Sequence, residues 1–430
     1  MPSTHLLPKY LLFRKGYSMT PSSARYVLVG GGLASATAAE TIRKYDLKGE
    51  IVLIGSEPHP PYHRPPLSKE YLRGEAKAED VLLIQPEPWY AENGVTLLTD
   101  TKAVGANTKT KVVTLGNGST ITYEKLLIAT GSSPKLLDIP GADGPNVRTL
   151  RTWEDSDALN ARLGQKIILV GGGYIGVEVA ADYLTKGGQA TIVEPTGHLW
   201  SKFASPEYGA FLKKKLEAAG AEIILGDEVT EITPSGVQTK LGRTISGDIV
   251  LVGVGVKPNL EFALATGVDV DPKKNGVLVS EFLQTSAPDV YAAGDVAGFQ
   301  DPVLGKQWRV EHWNNAFWHG EIAGANMAGQ KIAYDHVPNF YSDALDIHFE
   351  LFGDPQGGTG GLFHGDPETN RFDELYLDEN NRVVMVISVN PPPELYDTLR
   401  KLPRVKPDVD DLKDEIRSAD FDLDLLLALD

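Results

Sequence analysis

Two short glycine-rich stretches carry the clearest chemistry in the chain. YVLVGGGLASATAAE occupies residues 26–40, and IILVGGGYIGVEVAA occupies residues 167–181. Each is a buried-type apolar run, then a glycine turn, then a small-residue helical stretch, which is the opening of a dinucleotide-binding βαβ unit. In the first, Gly30, Gly32 and Ser35 take the three positions of G-x-G-x-x-G; in the second, Gly171, Gly173 and Gly176 complete it. A β-carbon at the second position would keep the backbone away from a pyrophosphate. The phosphates then face unpaired N–H groups and the positive end of the helix dipole. Ser35 is still small enough for close helix–strand packing. Such a turn needs glycine even without a ligand, so one copy is weak evidence. Two copies in the same strand–turn–helix context point to two dinucleotides.

A ribose-binding acid should follow each motif by about 20 residues. Glu57, after the run IVLIG, fits the first, with Ser56 as its neighbouring alternative; Glu194, ending ATIVE, fits the second. A carboxylate at 194 accepts both ribose hydroxyls of NAD and repels the 2′-phosphate of NADP. Residues 195–198 supply no arginine to receive that phosphate. NADH is therefore favoured over NADPH.

The elements that must hold these turns form a domain-scale repeat. KLLIATGSSPK at 125–135 is similar to DIVLVGVGVKPN at 248–259, and DVYAAGDVAG at 289–298 adds another strand and turn after the second unit. The expected fold is α/β, with two Rossmann-like domains, the second inserted in the first, followed by a C-terminal α+β domain. The expected division is an extension at 1–24, a first domain at 25–145 and 271–335, a second at 146–270, and a C-terminal domain at 336–430 with an acidic tail. Alternating strands near 347–352 and 374–378 mark that last domain. The tail after residue 391 reads as partly helical and packed on the surface. Residues 1–24 hold Lys9, Arg14 and Lys15 and no acid. Their apolar run at 10–13 is too short for a secretory signal. A flexible extension, or a start upstream of Met19, in a cytoplasmic protein is the preferred reading, and organellar import is the alternative.

Composition removes whole classes of function. With no cysteine among 430 residues, thiolate metal sites, iron–sulfur ligation and redox-active cysteine pairs are absent. A net charge of -17 opposes nucleic-acid binding and also docking to acidic proteins. No apolar run reaches the ~18–20 residues of a membrane span. His59 and His63 flank a Pro-Pro-Tyr loop without further ligands, so no metal site is expected. The lysines at 213–215 read as a solvated helix face.

Five ordered motifs then carry a resemblance covering roughly residues 25–363: PYHRPPLSKEYLRG at 61–74, ATG at 129–131, AAGD at 292–295, VEHWNNAFWHGEIAGANM at 310–327 and NFYSDALD at 339–346. The chain resembles the ferredoxin-reductase-like flavoproteins, which include dioxygenase reductase components, putidaredoxin and rubredoxin reductases and apoptosis-inducing factor. The resemblance implies FAD in the first unit and NAD in the second. It implies that Arg64 contacts FAD, that Lys69 lies beneath the isoalloxazine near N5, and that Glu178 pairs with Lys69. It places Ala129, Thr130 and Gly131 by the adenosine–phosphate part, Gly294 and Asp295 by the ribityl chain, and Glu311 by the nicotinamide carboxamide. His312 and Trp313 offer flat surfaces to the rings, and Tyr341 stands where the family often stacks a tryptophan. Tyr174, Ile175 and Gly255 complete the expected NAD contacts.

The implied reaction is hydride transfer from NADH to FAD, which needs the reacting atoms about 3–3.5 Å apart. Without cysteines, electrons must leave directly from the flavin, toward a small redox protein or a quinone-like acceptor. The alternative is an NADH-responsive protein like apoptosis-inducing factor, acting through a reduced flavin–NAD charge-transfer complex and partner association. A homodimer is implied by the family alone. If Glu194 reads the ribose, Glu194→Arg loses a hydrogen bond to a charged group worth about 1.5–3 kcal/mol. The ratio of kcat/KM for NADH over NADPH should then fall roughly ten- to hundredfold; an unchanged ratio in steady-state kinetics removes Glu194 from that role.

Overall fold

The computed structural model describes residues 20–273 and 275–429. Most of the expected N-terminal extension, residues 1–19, lies outside the described residues. The first strand, Ser23–Val29, begins two residues inside the segment set apart from the fold, and Ala24 is already buried. Val95–Leu98, Ile51–Ile54, Ser23–Val29 and Thr120–Ile128 follow one another in parallel. Ile51–Ile54 and residues 26–29 and 126–128 of the two strands that follow it are buried at every position, and there the chain reads as continuous apolar runs. Thr120–Ile128 has two partners along one edge. Its first half pairs antiparallel with Val112–Leu115, and its second half pairs parallel with Val290–Ala292. The chain thus leaves the first sheet and returns to finish it, so the second unit is an insertion.

The inserted sheet is parallel throughout, in the order Glu222–Leu225, Gln189–Glu194, Lys166–Val170, Ile249–Val252, Val147–Arg148. A two-stranded ribbon, Ser132–Pro134 against Val256–Pro258, ties the exits of the two units together.

The C-terminal sheet is antiparallel, in the order Asn339–Ala344, Ile347–Gly353, Val383–Val389, Arg371–Leu377, Thr359–Asp366. Its central strands are not half-exposed as alternation implies: Val383–Val389 is buried at every position. The reason is that both faces are covered. Phe349, Leu351 and Ile387 join Leu169, Val177 and Tyr208 of the inserted unit, while Phe352, Leu375 and Val386 join Leu399, Leu402, Leu423 and Leu426 of the tail. The tail, including the helix Tyr396–Val405, is therefore a layer of core rather than a surface appendage.

Helices Leu33–Tyr45 and Trp313–Met327 make the tightest helix pair of the first unit. A β-carbon at Gly320 would stand 2.6 Å from the Ala34 carbonyl oxygen, and one at Gly324 would stand 2.6 Å from that of Ala38. The GEIAG run in the sequence is thus a seam of close backbone approach. It fixes where His312, the N-cap of the second helix, is presented. Gly324→Val should overpack this seam and cost about 1–3 kcal/mol or more. Unfolding followed by circular dichroism should show the loss, and an unchanged midpoint would mean that the seam can open freely.

Candidate functional site

The glycine turns are built as the motif requires. Gly30 has φ of 129°, and a β-carbon there would stand 2.0 Å from the Ala129 carbonyl oxygen; Gly171 has φ of 111° and meets Gly253 in the same way. Gly32 and Gly173 face open space, with nothing within 4 Å of an added β-carbon. They are the N-caps of helices Leu33–Tyr45 and Tyr174–Thr185, which have no side-chain cap and no acid in the first turn. Two helix N-termini are thus left bare for anions. The third position differs. A β-carbon at Gly176 would stand 2.1 Å from the Gly171 carbonyl oxygen. Ser35 is accommodated fully buried, its Oγ without a partner.

A cleft of about 1160 Å³ opens at the first turn. Gly30, Gly32, Glu57, Arg64, Lys69, Ala129, Thr130, Gly131, Gly294, Asp295, Glu311, His312, Trp313 and Tyr341 all line it. From the inserted unit, Tyr174, Ile175 and Glu178 reach the same cleft. Ser35, Gly171, Gly173, Gly176, Glu194 and Gly255 do not line it. Its size exceeds the usual range of small-molecule pockets, about 300–1,000 Å³, and suits a dinucleotide.

Glu57 and Arg64 form one polar cluster. Arg64 Nη2 donates to Glu57 at 2.6 Å and Arg64 Nη1 to the Arg151 carbonyl at 2.5 Å. Tyr62 donates its hydroxyl to the other Glu57 oxygen, so both oxygens already have partners. Asp295 accepts from Ser132 at 2.6 Å and pairs with Arg151 at 3.2 Å. Arg151 was not singled out in the sequence. Its signal is the T-x-x-D capping box of Thr152 and Asp155, which places Arg151 at a helix entrance facing the cleft.

The cleft floor is an ion pair. Lys69 Nζ lies 2.5 Å from Glu178 Oε1, with the two side chains only 9% and 6% exposed. Ser342 donates to Glu178 Oε1 at 2.6 Å and Ser68 to Oε2 at 2.5 Å. Lys69 also stands 3.9 Å from Asp343 and 5.8 Å from the ring centre of Tyr341. The two serines escaped the sequence reading because each is next to a residue already singled out, Lys69 and Tyr341.

At the wall, burial pushes the His312 imidazole down to about 4, so the ring is neutral. Its Nδ1 is buried without a partner, while the ring packs 4.5 Å from that of Phe340. Burial also raises the Glu311 carboxyl, which nonetheless forms an ion pair with Arg309. Trp313 donates its indole N–H to His63 Nδ1 at 3.0 Å, while His59 bonds Glu154 and stacks on Trp153. Both loop histidines thus have non-metal partners. In the inserted unit Glu194 accepts from the Gly172 N–H at 2.7 Å and from Thr196, clamping the second glycine loop.

The donor set fits dinucleotides: bare helix ends, cradles that a β-carbon would fill, cations, and an orphaned imidazole nitrogen. Comparison with known proteins agrees. The pyridine nucleotide-disulphide oxidoreductase family matches residues 24–320. A probable ferredoxin reductase of Castellaniella defragrans is 34% identical, over 87% of this chain and 92% of its own. Putidaredoxin reductase of Pseudomonas putida is 33% identical over 86% and 89%. Monodehydroascorbate reductase 2 of Arabidopsis thaliana is 34% identical over 91% and 96%. Among solved structures, the covalent putidaredoxin reductase–putidaredoxin complex superposes with a TM-score of 0.87 at 30% identity, covering 94% of this chain and 98% of the other. The chain therefore belongs to the pyridine nucleotide-disulphide oxidoreductase family and, within it, is an NADH-dependent flavoprotein oxidoreductase.

Proposed function

We propose that the first glycine turn and the cleft hold FAD, that the second turn and Glu194 hold NADH, and that the electrons pass to a small redox protein. The observation that carries this reading is convergence. The first residues of the second glycine-turn helix, Tyr174 and Ile175, line the cleft that begins at the first glycine turn.

Bound FAD supplies the two-electron chemistry, and the protein supplies position and charge. The bare N–H groups after Gly32 and Gly173 receive phosphates. Arg64, Arg151 and Asp295 order the polar end of the cleft. His312, neutral, offers a flat face and a free ring nitrogen without adding charge. Lys69 places a buried cation where negative charge develops, and Glu178 holds that cation in place without itself moving a proton.

The acceptor follows from the relatives, two of which are named for ferredoxin or putidaredoxin. Their names favour electron delivery over the association-based role of apoptosis-inducing factor. The chain's acidity argues against an acidic carrier, but Lys102 and Lys257 are exposed on the cleft wall and offer local positive charge. The monodehydroascorbate reductases favour a second reading, a small organic acceptor. Among the described residues no helix is long and apolar enough to cross a membrane. The proposal includes a cytoplasmic homodimer, which light scattering and fractionation test.

Anaerobic titration with NADH should bleach the flavin band near ~450 nm, more readily than NADPH does. A colourless protein that takes up no FAD would sink the assignment of the first turn; a yellow one that does not bleach would sink that of the second. Lys69→Met strands the Glu178 carboxylate, which should cost about 3–5 kcal/mol of stability. Adding Glu178→Gln should restore much of that stability. Rapid flavin reduction should stay lost in both variants, and a stopped-flow trace like that of the unaltered protein would remove Lys69 from the site.

A further inference from the structure

The hairpin of Asn339–Ala344 and Ile347–Gly353 carries titratable groups that the proposed mechanism does not use. Asp343 and His348 are directly opposed in register, and Tyr341 and Glu350 form another opposed pair. Side chains two apart share a face, so these four point the same way. That face meets Lys69. His348 Nδ1 lies 2.6 Å from Asp343 Oδ1, and Nε2 lies 3.2 Å from Glu350 Oε1 and 3.1 Å from the Tyr396 hydroxyl. With a carboxylate at each ring nitrogen, both nitrogens are placed to donate, which only the imidazolium can do. The Tyr341 ring stacks on the imidazole at 6.0 Å and 29°, and Lys69 Nζ lies over the same ring, 5.8 Å from its centre.

We infer that His348 is a positioning residue of the cleft: clamped between Asp343 and Glu350, it keeps Asp343 from drawing Lys69 away from Glu178 and props Tyr341 beneath that lysine. The inference rests on the flavin-reductase reading above and extends it to a residue away from the cleft lining.

The charge arrangement gives the reason. Around Lys69 stand Glu178 and Asp343, with Glu350 behind; Arg73 also acts on Asp343 but is committed to Asp182 and Glu75. With His348 charged, two cations face three carboxylates. Without it, Lys69 alone faces all three, and Asp343, 3.9 Å from its Nζ, becomes its competing partner. A more negative cleft floor opposes the arrival of electrons. Hydrogen bonds to Asp343 and then Glu350 raise the His348 imidazolium to about 9, against an opposing effect of burial. The clamp's stabilisation is therefore full below the unfolded histidine value of about 6.5 and is lost as pH rises through about 9.

The test is the midpoint potential of FAD bound to the full-length protein, measured against pH by dye equilibration. The unaltered protein should show an inflection near pH ~9. His348→Gln should lose it, and at pH 7 its reduced-to-oxidised ratio at a fixed poise should fall about tenfold, about 30 mV for a two-electron couple. His348→Lys, which keeps the charge, should restore the neutral-pH value without the inflection. Asp343→Asn should move the potential the opposite way, and it serves if His348→Gln does not fold. A His348→Gln protein with the potential and pH profile of the unaltered one overturns the inference while leaving the flavin assignment standing. An unaltered protein that binds no FAD fails earlier, taking the functional reading and this inference with it.

Discussion

Burying the Glu178 carboxylate is the constraint on which the arrangement of the cleft depends. A carboxylate that is 6% exposed loses several kcal/mol of hydration unless its oxygens are met by donors. Its donors come from separate parts of the chain. Lys69 and Ser68 belong to the loop after the first βαβ unit, Glu178 to the helix of the inserted unit, and Ser342 to the first strand of the C-terminal sheet. A shift of any one of these pieces would strand a buried charge. The ion pair therefore acts as a register mark: the cleft floor is satisfied only when all three pieces have docked. The second turn of ion pairing, Arg73 with Asp182, repeats the contact four residues further along both segments.

Around that junction the two glycine turns do related work with different packing. At Gly176 helix and strand are so close that any side chain would strike the Gly171 carbonyl, whereas Ser35 fits at the corresponding place. The first helix gains its close contact elsewhere, from Gly320 and Gly324 of the helix that ends the first unit. That contact also sets the position of His312 and Trp313. A seam of small residues, meeting the cleft lining at Ala34, thereby determines what lines the wall. The polar groups of the other end are held just as firmly. Arg64, Glu57, Tyr62, Arg151 and Asp295 satisfy one another, so the cleft presents fixed charges rather than mobile side chains.

The turns, the strand–helix periods and the return of the chain to its first sheet were legible because each rests on local chemistry. Glycine is needed where φ is positive or backbones touch, and parallel buried strands are apolar without interruption. Less legible was the C-terminal sheet. Its strands looked one-sided, yet Val383–Val389 is buried throughout because the leucines of the tail cover its second face. A pattern within one strand cannot report a layer contributed by a distant segment. The same limit hid Arg151, which acts through Asp295, and Ser342, which acts through Glu178.

What the sequence by itself determined is the set of turns that leave two helix N-termini bare, the acids that follow them, and the absence of any cysteine route for electrons. Those features are local, since spacing along a few residues decides whether a backbone can cradle a phosphate. The tertiary structure alone decided which groups share a cleft. The resemblance pairs Glu178 with Lys69, but only the fold shows that Ser68 and Ser342 hold the same carboxylate. Glu57 and Glu194 look alike in sequence, but one is held by Arg64 and Tyr62 on the cleft wall, and the other closes its own glycine loop through Gly172. The reason is physical: the cost of a buried charge is set by whatever lies within hydrogen-bonding reach, and only the folded chain brings those partners together.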